Sequence, residues 1–138
     1  MNIFNKKQNI HFNPKFAITN EQIQNGMMGR TFNHFNALVF LFDVLEGNVS
    51  KFNYYLTRSY PKVRSFWMKN CIIPLDMVFA TKRLDYQNTY QINKIFHNCQ
   101  PCNQINCPQY QDYADIVIEL PGNTCNSNNI SEGDFVSF

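Results

Sequence analysis

The chain is poor in the residues that build helices. Of 138 residues only four are Ala and five are Gly, which argues against an Ala-rich helical bundle. Long apolar runs are missing as well. The longest, Ala37 to Phe42, falls far short of the roughly 20 residues a membrane helix needs. There is no Gly-rich phosphate loop, no H-E-x-x-H and no G-x-S-x-G, so the common signatures of nucleotide, zinc-protease and serine-hydrolase chemistry are absent. Basic residues are scattered, and net charge is +2. The nearest thing to a patch is Arg58, Lys62 and Arg64, too thin for a nucleic-acid stripe, and no nucleic-acid partner is expected. The start, Met1 to Gln8, carries neither a secretory apolar region nor an Arg- and Ser-rich transit pattern. Organellar (mitochondrial) and cytoplasmic placements both stay open, as does prior removal of a signal.

What is abundant is bulky. Thirteen Phe and seven Tyr fill a core in a chain of one domain's length, long enough to stand without staples. The wealth of Asn, Ile, Phe and Lys suggests an AT-biased genome, which makes clusters such as Asn126-Ser127-Asn128-Asn129 a product of mutation pressure rather than function. Short strands separated by turn signals predict an all-β fold, a small β-sandwich or open barrel with one or two short helices, spanning 1–138. Expected strands are Ile10–Phe16, Ala37–Phe42, Phe66–Asn70, Leu75–Thr81, Tyr90–Phe96, Asp115–Leu120 and Phe135–Phe138. Thr19 offers an N-cap for a helix over Glu21–Met28 that Gly29 ends. Residues 43–65 read as a long link with one short element at Phe52–Leu56.

The most informative stretch runs from Phe66 to Asp76. It sets the single Trp67 beside Lys69, Asn70 and Asp76, with Pro74 at a turn between two apolar runs. On a strand, Trp67 and Lys69 share a face. In Asp115–Leu120, Ile116, Ile118 and Leu120 alternate with Val117 and Glu119. Lys69, Asn70, Asp76 and Glu119 therefore form one candidate constellation walled by Trp67, with Arg30 and Asp134 as additions. Carboxylates near a desolvated lysine can bind a polar ligand or shift each other's pKa. The same residues read equally as a structural network that fixes the Pro74 corner. No nucleophile–base–orienter order is legible, and all three His lie outside the constellation. Phe32, His34 and Phe35 offer an aromatic surface, although aromatics this frequent mostly pack sheets.

A second constellation is His97, Cys99, Cys102 and Cys107. Three thiols and an imidazole within eleven residues could close a tetrahedral zinc site, though the spacing is not a standard one. Cys71 and Cys125 read as small core residues.

Phe66-Trp67-Met68-Lys69-Asn70 followed by Pro74-Leu75-Asp76 resembles the FWMKN-x-x-x-PLD signature of the domain of unknown function 192 family. Four further segments are similar in the same order: Gly26–Arg30, Ala37–Phe42, the Pro101-Cys102 … Cys107-Pro108-Gln109-Tyr110 loop, and Ile116–Gly122 with Ile130–Asp134. Together they cover about two thirds of the chain. The 43–65 link is longer than the family's, and Cys71 and Pro121 replace commoner residues. The resemblance implies a small β-rich fold and a site but no activity. It also supplies Cys102 and Cys107, which suggests a disulfide between them in an oxidising compartment; the residues themselves leave open zinc held by Cys99, Cys102 and Cys107, with His97, in a reducing one, and free thiols. Functionally the expectation is a non-catalytic interaction module with protein partners, a subunit or accessory of a larger assembly that the 43–65 link would serve. The alternative is a small-molecule binding protein or enzyme using the Trp67, Lys69, Asp76 and Glu119 pocket.

Overall fold

The computed structural model describes residues 1–42, 62–86 and 88–138. Among the described residues, ten strands and two short helices make an all-β fold. In chain order they are β1 (Asn2–Phe4), β2 (Asn9–His11), β3 (Pro14–Ala17), α1 (Asn20–Asn25), β4 (Ala37–Leu41), β5 (Val63–Phe66), β6 (Leu75–Lys82), β7 (Thr89–Cys99), β8 (Tyr110–Tyr113), β9 (Ile116–Pro121), α2 (Thr124–Ser127) and β10 (Phe135–Ser137). Eight strands form one sheet in the order β2-β1-β10-β7-β6-β9-β4-β3, curled into a half-barrel, and β5 pairs with β8 in a separate ribbon. Of the two expected architectures, the open barrel is the one realised.

The central strands β4, β6 and β9 are buried on both faces and feed two cores. Along β9, Ile116, Ile118 and Leu120 enter the first core and Val117 enters the second. Along β4, Ala37 and Val39 alternate in the same way with Leu38 and Phe40. Among the described strands the one parallel pair is β3 with β4, and α1 lies within the crossover that such a pair requires. Thr19 caps α1 with a reciprocal capping box through Gln22. The helix ends at Gly26, at φ 46°, three residues before the expected stop at Gly29.

Two further expectations are corrected. The entry segment is three short strands broken by turns at 5–8 and 12–13, not one strand over 10–16. The strand expected at Phe66–Asn70 lies earlier, at Val63–Phe66, and pairs with a polar strand, β8. The segment Trp67–Cys71 that follows is extended only at isolated bridges, Lys69 with Cys102 and Met28 with Cys71. Residues 43–61, and so the element expected at Phe52–Leu56 and most of the long link, lie outside the described residues, as does Arg58.

Candidate functional site

Pairing register divides the expected constellation between the two faces of the sheet. In the β6–β9 pair, Asp76 lies opposite Leu120, and Glu119 lies opposite Met77. Leu120 belongs to the first core and Met77 to the second. Cross-strand partners share a face, so the two carboxylates point to opposite sides.

Asp76 is fully buried and accepts three backbone hydrogen bonds. Its Oδ1 accepts from the N–H of Asn98 at 2.7 Å and of Asn123 at 3.0 Å, and its Oδ2 from the N–H of Cys125 at 2.7 Å. One carboxylate thus ties the start of β6 to the end of β7 and to the turn entering α2. Asn98 and Asn123 both take left-handed φ to aim these N–H groups. At Gly122 a Cβ would lie 2.6 Å from Asn98 Oδ1 and 2.9 Å from Pro74 Cβ, so only glycine fits beneath the Pro74 corner. Asp76 is a structural knot.

Glu119 is the opposite case. It is 3% exposed, and its Oε2 has no hydrogen-bond partner among the described residues. Burial pushes its carboxyl up from 4.5 to about 8, while the positive charge of Arg30 pulls the other way. It lines a cavity of about 300 Å³, a volume at the lower end of small-molecule sites. Phe40 from β4, Phe42 just after it and Phe66 from β5 form one wall. Phe66 stands edge-on to Phe40 at 4.9 Å between centroids. Gly26, Met27 and Ile23 line the α1 side, with Cys71 bridged to the neighbouring Met28, and Trp67 also lines the cavity. A Cβ at Gly26 would come within 3.3 Å of Phe40 Cζ and 3.6 Å of Glu119 Oε2, so the end of the helix sits directly on the carboxyl. Arg64 adds a cation to the lining, its guanidinium 3.9 Å from the Phe42 ring centroid and its Nε donating to the Ala114 carbonyl.

The remaining predicted residues fall around these two centres. Trp67 lines the cavity at its rim and is 38% exposed, so it is a surface ring, not a buried wall. Lys69 stands over it, 5.1 Å from the ring. The expected adjacency holds even without a strand. Asn70 works through its backbone: at φ 59° it donates to the Cys102 carbonyl and accepts from Gly29 N–H. Arg30 donates to the Gly26 carbonyl and acts on Glu119 electrostatically. Asp134 is remote, on the β10 side of the sheet with β7 and β6 between it and β9. It accepts there from Asn5 Nδ2 and Ser131 N–H. Phe32 and Phe35 pack against each other and against the second core, leaving His34 exposed.

Cys102 and Cys107 form a disulfide, with Cα atoms 5.9 Å apart. The zinc set is therefore not assembled. Two of its thiols are joined, Cys99 is buried with its Sγ turned to the Phe96 carbonyl, and His97 is exposed. Among the described residues no group of three or more His, Cys, Asp or Glu could hold a metal ion. Cys71 and Cys125 are buried core residues, as expected.

Sequence reading singled out Glu119 and Trp67 but missed Gly26, Phe40, Phe42, Phe66 and Cys71 as their companions. The signal lay in the spacing of Phe40 and Phe42, two apart on one strand, and in a glycine closing a capped helix.

This half-barrel, with an apolar pocket that holds a buried acid, defines a small all-β domain. The chain belongs to the DUF192 family, described as an uncharacterized ACR, whose model matches residues 2–138. No curated protein matches it. Two solved structures share the fold. One is a candidate transcription regulator from Sinorhizobium meliloti 1021, with a TM-score of 0.72 and 19% identity, covering 99% of this chain and 90% of that one. The other is a protein of unknown function from Novosphingobium aromaticivorans DSM 12444, with a TM-score of 0.70 and 22% identity, covering 98% and 81%. At these identities the likeness is one of fold. Among the described residues no helix is long and apolar enough to cross a membrane.

Proposed function

We propose that this DUF192 domain is a non-catalytic binding module for a small molecule, which enters between α1 and the β5 ribbon and meets Glu119 at the floor. One observation carries this reading: a buried carboxyl oxygen with no hydrogen-bond partner among the described residues, lining an apolar cavity. Leaving such an atom unsatisfied costs about 1–3 kcal/mol, and a fold keeps that cost most readily where a ligand completes the hydrogen bond. The surrounding chemistry favours binding over catalysis. The thiols nearest Glu119 in charge, Cys71 and Cys99, are pushed up to about 12 and about 11 by burial, so neither supplies a thiolate nucleophile at neutral pH. The assembly-subunit reading drew on the 43–65 link, most of which lies outside the described residues, and no specific contact favours it.

Trp67, the sole tryptophan, stands at the rim and reports occupancy by fluorescence. A screen of one-ring fragments should yield compounds that change Trp67 emission in the native chain and lose the effect in Glu119→Leu. A screen in which responses survive that substitution places the binding elsewhere and removes the proposal.

A further inference from the structure

Resting on the pocket reading, we infer that the ligand is a compact uncharged molecule, about one ring in size, with a carbonyl or hydroxyl oxygen that forms a hydrogen bond with the Glu119 carboxyl group. The cavity's walls are apolar or aromatic at Met27, Phe40, Phe42 and Phe66, so an ion entering it loses its hydration. Among the described residues, the charged side chains of the lining are Arg64 and Glu119. A cationic ligand would enter within the field of Arg30, and the like charge there opposes it. An anionic ligand would place a second carboxylate against a carboxyl that is already desolvated, and the two would compete for one proton. A neutral group avoids both costs. A carboxylic acid offers it one O–H donor and one carbonyl acceptor, matched to an amide, ketone or alcohol.

Among the described residues, the titratable and charged groups facing Glu119 are Arg30 after α1, Arg64 on β5, Cys71 at the end of the Trp67 segment and Cys99 on β7. Both thiols stay protonated below pH 10, so Glu119 alone changes state near pH 8. Affinity for a hydrogen-bond acceptor should be level below about pH 7 and fall roughly tenfold by about pH 9, as the acid ionises.

Three probes that share a ring test this: benzamide, benzylamine and benzoate, neutral, cationic and anionic respectively. Binding is measured to the full chain by Trp67 fluorescence and calorimetry at about pH 6.5 and about pH 9, in native protein and in Glu119→Gln. Benzamide should bind tightest and weaken about tenfold at the higher pH, and Glu119→Gln should keep the binding but lose the pH dependence. Tighter binding of either charged probe, or benzamide binding that ignores pH in the native chain, overturns the inference and leaves the pocket standing. Failure of all three to bind removes the pocket reading and the inference with it.

Discussion

Replacing Glu119 with Gln should make the protein more stable, and by an amount that depends on pH in a defined way. The folded carboxyl titrates near 8 and its ordinary value is 4.5. Below pH 4.5 both states hold the proton and the native chain suffers no charge penalty. Between the two values the unfolded chain ionises while the folded one does not. Native stability then falls by about 1.4 kcal/mol for each pH unit, on the order of 4–5 kcal/mol across the window. Above pH 8 both states are ionised and the penalty stays constant. Glutamine keeps the shape and does not titrate, so the difference between the two proteins isolates this group. Urea midpoints measured from about pH 4 to about pH 9 should diverge through that window and separate by roughly 2 M at its upper end, for an ordinary denaturant slope. A difference that stays flat from acid to alkali would mean that Glu119 is ionised in the fold and already paired, and the reasoning fails.

Other outcomes follow from the same contacts. Asp76→Ala strands three backbone N–H groups in a buried corner and should cost roughly 3–5 kcal/mol in urea unfolding; a loss under about 1 kcal/mol would mean the knot is not structural. Trp67→Ala should cost about 1 kcal/mol or less, because the ring is 38% exposed, whereas Met68→Ala, fully buried beside it, should cost about 2–5 kcal/mol; equal losses would contradict the placement. Under non-reducing conditions the intact mass should be two hydrogens light, with Cys71, Cys99 and Cys125 alkylated only after unfolding. Reduction should cost only about 2 kcal/mol, because the closed loop is short.

The sequence made the β character of the chain legible wherever both faces were sharply patterned. Ala37–Phe42 reads as a doubly covered strand because every side chain in it is apolar, and Asp115–Leu120 reads as a strand because Ile116, Ile118 and Leu120 alternate with Val117 and Glu119. Glu119 stood out for that reason. What could not be read was register. A one-residue offset between β6 and β9 decides whether Asp76 faces Glu119 or turns its back on it, and no local pattern encodes that offset. The polar ribbon strand Tyr110–Tyr113 was invisible because its burial alternates only between partial and none. Its absence from the reading displaced β5 and made Trp67 look like a wall when it is a rim. The helix stop moved from Gly29 to Gly26 because the Glu119 carboxyl and the Phe40 ring leave no room there for a side chain.

The account's central claim is a protonated acid waiting in an apolar pocket, and the carbon-13 carboxyl shift of Glu119 reads it directly. Spectra of side-chain-labelled protein, assigned against Glu119→Gln, should show one glutamate titrating near 8 where ordinary glutamates titrate near 4.5, and saturating benzamide should move it higher still. A Glu119 carboxyl that titrates in the ordinary range, and does not respond to benzamide, would contradict the account.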